Sequence, residues 1–342
     1  MAVSSQSYIL DPRPNLPLLL TAKRYWQADS PYLNDSAALT LIFTHGVGFH
    51  KEQWEPAMDD LWALLNHNNG TVRVREMWAI DTPNHGDAAI LNERALQYGY
   101  DQVFAWEDYG RSIHAFLTGF GTGLDVDFST RRLVGIGHSM GSTALVLAHG
   151  YTPFIQFESL ILCELMSMNS HFAAKLANLY QRGSINRRDT WASHEEAYTL
   201  LKSRPAWKAW DDRVLRIFVN NGMRPLPTAE YPDKAEGVTL KCTRKQETAC
   251  YRDLQGAERA YHLLGPTAKR VPVHMIYGAI NDYVPEEAKD DIVQNAVGGL
   301  RNLASFALVE GAGHLVMQMN PEGLAQKIHD ALARPSQATA KL

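Results

Sequence analysis

The chain has 342 residues, 45% hydrophobic and 20% charged, with a formal net charge of −4. Such a length suits one large α/β domain carrying an insertion, and the composition excludes a largely disordered chain. The weak negative charge, with basic pairs isolated at Arg131-Arg132 and Arg187-Arg188, excludes a broad face for phosphate backbones, so nucleic acid is not an expected partner.

At the amino end, residues 1–27 carry neither a basic n-region nor a continuous apolar stretch, since Pro17 interrupts Leu16 to Leu20, and no secretory signal is expected. Ala38 to Thr44 is an apolar run with β-branched residues that reads as a buried strand feeding the loop His45-Gly46-Val47-Gly48. Glu55 to Asn66 has helical spacing, Val72 to Ile80 alternates like a strand, Asp81 to Gly86 is turn-rich, and Tyr98 to Phe120 reads as a helix. Arg132 to Ile136 is a strand, Ser142 to Gly150 a helix, and Leu160 to Glu164 another buried strand. This rhythm predicts a mostly parallel sheet with helices on both faces and a site at the carboxyl ends of the strands.

After Glu164 the rhythm stops. Helical patterns cover His171 to Arg182, His194 to Ser203, Asp211 to Asn220 and Glu247 to Leu264, with one short strand at Val238 to Cys242. The sheet resumes at Val273 to Tyr277 and Ser305 to Val309, and a helix from Pro321 to Ala333 follows. The expected organisation is therefore a core in two parts, 1–164 and 266–334, a mainly helical cap over 165–265, and a flexible tail over 335–342. No apolar run approaches the ~20 residues that a membrane-spanning helix needs, so no transmembrane segment is expected and the protein should be soluble.

The residues Gly137-His138-Ser139-Met140-Gly141 form a G-x-S-x-G pattern between a predicted strand and a predicted helix. Glycines at 137 and 141 let the backbone close tightly around Ser139, whose hydroxyl is then presented as a nucleophile. A serine hydroxyl needs a base and a group that orients the base. Among thirteen histidines, His314 follows Gly311-Ala312-Gly313 directly after a predicted strand, where the base belongs. Two residues compete as the acid. Asp282 is the first choice because it follows the strand ending at Tyr277 and lies between serine and histidine, although it stands one residue later than the G-x-x-D spacing requires. Glu164, closing the strand Leu160 to Glu164, is the alternative. The oxyanion hole would be made by the backbone amides of Met140 and Val47, the glycines at 46 and 48 letting that loop bend inward. His45 is read as shaping this loop, and Asn84-His85-Gly86-Asp87 as either the pocket mouth or a turn held by its own side chains.

G-H-S-M-G at Ser139, H-G-V-G-F-H-K-E-Q-W from His45 to Trp54, the acid within Gly278 to Pro285 and G-A-G-H at His314 resemble the α/β-hydrolase superfamily over nearly the whole chain. Phe49 to Pro56, Asn84 to Asn92, Gly237 to Tyr251 and the terminal Ala-Lys-Leu resemble, more narrowly, fungal peroxisomal hydrolases, a group including yeast peroxisomal lipase and the esterase-like proteins of AK-toxin biosynthesis. The resemblance implies an α/β-hydrolase fold and hydrolysis of an ester, thioester or lipid-derived acyl group without metal or organic cofactor. Its setting would be secondary-metabolite (toxin) biosynthesis or peroxisomal lipid metabolism. An acyltransferase or cyclase using the same site, and a non-catalytic binding protein, are the other readings.

Ala340-Lys341-Leu342 matches the S-K-L type of peroxisomal address, so an import receptor is an expected partner and the peroxisomal matrix the expected location. The three cysteines, Cys163, Cys242 and Cys250, cannot all pair and form no C-x-x-C, so reduced thiols are expected.

Overall fold

The computed structural model describes residues 2–67 and 71–334. An eight-stranded sheet runs through it in the order β1-β2-β4-β3-β5-β6-β10-β11. These strands are β1 (Val3–Leu10), β2 (Leu20–Gln27), β3 (Leu39–Thr44), β4 (Val74–Ile80), β5 (Arg132–His138), β6 (Phe157–Cys163), β10 (Val273–Gly278) and β11 (Ser305–Val309). All pairs from β4 to β11 are parallel, and β1 and β2 add an antiparallel edge. The mostly parallel sheet read from the sequence is thus present. The hairpin at its edge was missed because β1 is largely exposed and its run of serines and Gln6 gives no apolar signal.

Central strands place successive side chains into opposite cores, as a period of two requires. In β3, Leu41 and Phe43 join Trp54, Leu61 and Leu324 on one face, while Ile42 joins Trp78, Tyr109 and Leu145 on the other. Helices Glu55–His67 and Pro321–Leu332 cover the first face; Trp106–Thr118, Met140–His149 and Gln255–Arg270 contribute to the second.

Between β6 and β10 the chain leaves the sheet and builds a third apolar cluster around Trp191, Trp210, Phe218 and Leu240. Helices His194–Lys202, Pro205–Lys208 and Asp212–Gly222 frame it, with a three-stranded antiparallel sheet of β7 (Thr190–Trp191), β8 (Met223–Pro225) and β9 (Val238–Leu240) in the order β7-β9-β8, while the insertion's helices Ser170–Ile185 and Arg244–Tyr251 pack into the core on the second face of the main sheet. Phe49 and Leu315 pack against the third cluster, so the insertion sits on the two loops that carry Val47 and His314.

The single helix expected over Glu247 to Leu264 is two. The chain breaks where Asp253 turns its carboxylate to accept from Trp106 N–H at 2.7 Å and Gln255 N–H at 3.0 Å. The second of these helices runs through Pro266 to Arg270, so the boundary expected at 265 falls inside it. Among the described residues no helix is long and apolar enough to cross a membrane. Residues Ala340, Lys341 and Leu342 lie outside the described residues.

Candidate active site

Strands β5 and β6 lie in register with His138 opposite Cys163, so the next residues, Ser139 and Glu164, leave the sheet side by side at its carboxyl edge. Both have left-handed backbone, φ 56° for Ser139 and 52° for Glu164, a conformation that costs a non-glycine residue about 1–3 kcal/mol. The turn at Ser139 closes because the residues two before and two after it lack side chains: a Cβ at Gly137 would lie 2.5 Å from Ser142 N and one at Gly141 2.4 Å from the Thr44 carbonyl oxygen. Ser139 N–H donates to the Cys163 carbonyl at 3.0 Å and Glu164 N–H to that of Ile276 at 2.8 Å, tying both turns to the sheet.

The loop after β11 brings His314 between these two residues. Its Nε2 is 3.1 Å from Ser139 Oγ and its Nδ1 3.0 Å from Glu164 Oε2. An ionised carboxylate only accepts, so Nδ1 carries the proton and Nε2 is left to accept from the serine hydroxyl. Glu164 is fully buried, its other oxygen accepts from Gly278 N–H at 2.5 Å, and Lys289 Nζ stands 3.7 Å away.

Asp282, the first choice from sequence, does not reach the imidazole. Its Oδ1 accepts from the backbone N–H of His314 at 2.8 Å and from that of Tyr283 at 2.6 Å. The reason is local: a Cβ at Gly313 would lie 2.2 Å from Asp282 Oδ2, so the carboxylate fills the space of the absent side chain and wraps the main chain of the loop, not the ring beyond it. His138 holds the other side of the same residue, donating from Nε2 to the His314 carbonyl at 2.8 Å. Burial, with the His314 ring beside it, pushes the His138 imidazole down to about 3, so it stays neutral.

The loop Gly46-Val47-Gly48 presses on Ser139, a Cβ at Gly46 falling 3.0 Å from the serine Cβ. The Gly46 carbonyl accepts from His45 Nδ1–H at 2.8 Å and from Phe49 N–H at 3.3 Å. In a trans peptide the Val47 N–H points opposite to that carbonyl and is turned away from both donors. Gly48 N–H donates to His85 Nε2 at 2.8 Å, and His85 Nδ1–H donates to Asn84 Oδ1 at 2.7 Å. Burial lowers His45 to about 4 and holds His85 well below the ordinary histidine range, so both act as neutral braces. Met140 is the first residue of helix Met140–His149, where backbone N–H groups lack intrahelical acceptors.

Sequence reasoning missed two ionic groups behind this loop. The wholly buried Lys51 ammonium contacts Asp81 at 2.8 Å, Glu52 at 2.9 Å and Asp87 at 2.7 Å. Burial alone would lower it, but these carboxylates hold it above the ordinary ammonium range. Arg187 of the insertion pairs at 2.5 Å with Glu247, whose carboxylate would touch a Cβ at Gly48 at 3.2 Å. The signal for the first was a Lys-Glu pair and two aspartates flanking buried segments; the second pairs residues 60 apart in sequence and had none.

Ser139 is 7% and His314 8% exposed, so the hydroxyl and imidazole meet in an enclosed space. Tyr283 packs its ring 5.9 Å from that of His314, and Phe49 lies between His138 and the insertion's Trp210 and Phe218.

Residues 41–327 match the alpha/beta hydrolase family. The type I acyl-CoA thioesterase mpaH of Penicillium brevicompactum is 32% identical over 201 residues, covering 57% of this chain and 42% of that protein. The match thus spans less than half the length of that curated relative. The peroxisomal membrane protein LPX1 of Saccharomyces cerevisiae is 23% identical over 330 residues, 91% of this chain and 80% of that one. Its solved structure, titled a peroxisomal alpha-beta-hydrolase, superposes with a TM-score of 0.70 at 21% identity, covering 100% of this chain and 92% of that one. A thioesterase domain from the curacin biosynthetic pathway superposes with a TM-score of 0.63 at 14% identity over 96% of this chain and 99% of that domain. At these identities the two structures speak for the fold.

Proposed function

Since the chain belongs to the alpha/beta hydrolase family, we propose that it hydrolyses acyl thioesters and esters through an acyl-enzyme on Ser139. The observation that carries this reading is the unbroken line of hydrogen bonds from Glu164 through His314 to Ser139. In the reaction, His314 Nε2 takes the hydroxyl proton as Ser139 Oγ bonds to the acyl carbon, and the carbonyl becomes an oxyanion facing the Val47 and Met140 amides. The carbon–sulfur or carbon–oxygen bond then breaks, and the imidazolium returns its proton to the leaving thiolate or alkoxide. Water repeats the sequence: it gives a proton to His314, attacks the acyl carbon, and releases the acid as Ser139 regains its proton. Glu164 stabilises the imidazolium in both halves; Asp282 and His138 fix the backbone of His314 without touching the reacting atoms.

Thioester cleavage is supported by the similarity to an acyl-CoA thioesterase. The test is initial-rate hydrolysis of matched acyl thioesters and oxygen esters by the wild type and Ser139→Ala. Turnover of the thioester abolished by the substitution is expected; equal rates for both proteins would overturn the proposal. We further place the protein in the peroxisomal matrix, on the strength of Ala340-Lys341-Leu342 and the likeness to a protein named as peroxisomal. A fluorescent fusion at the amino end should be punctate with the last three residues and diffuse without them.

A further inference from the structure

On the insertion, away from Ser139, a groove of about 60 Å³ is lined by Arg187, Arg188 and Arg204 together with Trp191, Trp207 and Phe218. Three arginines thus line one groove in a chain of net charge −4. Two are paired, Arg187 with Glu247 at 2.5 Å and Arg188 with Glu196 at 3.0 Å. Arg204 has no ion pair among the described residues, and the buried Nε of Arg187 has no hydrogen-bond partner among them. The lining therefore includes one exposed arginine with no counter-charge and, on a second arginine, one idle buried donor, the combination that favours an anion. The groove's volume is several times the ~10–15 Å³ that one water needs, which leaves room for a phosphate group. At its rim Trp207 is half-buried, with one side against Trp210 at 4.5 Å and Phe218 at 5.1 Å, and can take an aromatic ring on its remaining surface.

The groove also shares a wall with the oxyanion loop. Phe218 stands between Trp207 and Phe49, and the carboxylate paired with Arg187 lies against Gly48. Resting on the thioesterase reading above, we propose that this groove binds the phosphorylated nucleotide end of a coenzyme-A-type acyl carrier, with phosphate on the arginines and the base on Trp207. A phosphopantetheine arm on a carrier protein offers a phosphate without the base, and the test separates the two.

The same acyl group is presented on coenzyme A, on pantetheine 4′-phosphate and on N-acetylcysteamine, which carries no phosphate. For the wild type, KM should rise about tenfold at each step, first with loss of the nucleotide (its base, its 3′-phosphate and one pyrophosphate phosphate) and then with loss of the remaining phosphate. Arg204→Glu should raise KM for the coenzyme A thioester at least tenfold while leaving KM for N-acetylcysteamine unchanged. Arg301→Glu, an equal charge change at an exposed arginine before the amino end of β11, should leave the wild-type KM pattern in place. Ser139→Ala titrated with adenosine 3′,5′-bisphosphate should show binding that quenches tryptophan fluorescence and is lost with Arg204→Glu. Equal KM for all three carriers, an identical effect of both charge reversals, or no bisphosphate binding overturns the groove. Equal KM for the first two carriers overturns its nucleotide part. If no thioester is turned over, the thioesterase reading fails while the bisphosphate titration still decides the groove.

Discussion

Glu164→Gln, set beside Asp282→Asn, separates the two carboxylates that meet His314. The Glu164 oxygen lies 3.0 Å from Nδ1, and the side chains are 0% and 10% exposed, so solvent screens the pair little. When His314 takes the serine proton, a unit positive charge forms roughly 4 Å from the carboxylate; at an effective dielectric near 20 their attraction is about 4 kcal/mol. Glutamine keeps the shape and removes the charge, so kcat should fall about a thousandfold, with a further loss wherever the amide selects the wrong imidazole tautomer. Asp282 acts on a backbone N–H, and the asparagine oxygen can still accept that bond, so Asp282→Asn should stay within about fivefold of wild type. Steady-state kcat on one thioester at neutral pH, with thermal midpoints measured alongside to exclude unfolding, gives the comparison. A collapse of activity in Asp282→Asn with a mild effect of Glu164→Gln would refute the reasoning.

Acid should destabilise the protein before ordinary carboxylates titrate. His45 and His138 are held neutral at about 4 and about 3 against about 6.5 unfolded, so the unfolded state binds more protons below pH ~6.5. Their contribution is fully present above that pH and lost as it falls towards pH 4, at about 1.4 kcal/mol per unit for each; a urea midpoint flat from pH 7 to pH ~4.5 would contradict this. Lys51→Met removes the cation shared by Asp81, Glu52 and Asp87, leaving Lys241 on Asp87 alone, and should cost about 3–5 kcal/mol in urea unfolding. An unchanged midpoint would show the cluster to be dispensable. His85→Leu strands the Gly48 N–H, a loss of about 1–3 kcal/mol in stability, and should lower kcat more than it raises KM because the oxyanion loop loses its brace; an unaltered kcat would remove His85 from that role.

How much of this was legible in the sequence depends on the range of the interaction. The strands Leu39–Thr44, Phe157–Cys163 and Val273–Gly278 showed to within a few residues because buried parallel strands read as continuous apolar runs, and the glycines around Ser139 mark a turn that no other residue could make as tightly. The chain order of serine and histidine followed from local pattern. The identity of the carboxylate on the imidazole did not, because two strand-end acids stand equally close in topology, and the choice rests on where Gly313 leaves room for Asp282. The edge hairpin β1–β2 was hidden by its polar surface, and the break at Asp253 by a contact with Trp106 147 residues away. Arg187 with Glu247, and Lys51 with Asp81, are pairings that composition cannot reveal.

The central claim is an acyl group carried on Ser139. The wild-type protein, mixed with excess thioester and quenched in acid during turnover, is to be weighed intact and mapped by peptide, with Ser139→Ala in parallel. We predict a mass gain of one acyl group on the peptide containing Ser139, absent from the variant, which also releases no thiol. Acyl transfer to another residue, or thiol release from Ser139→Ala at the wild-type rate, would contradict the account.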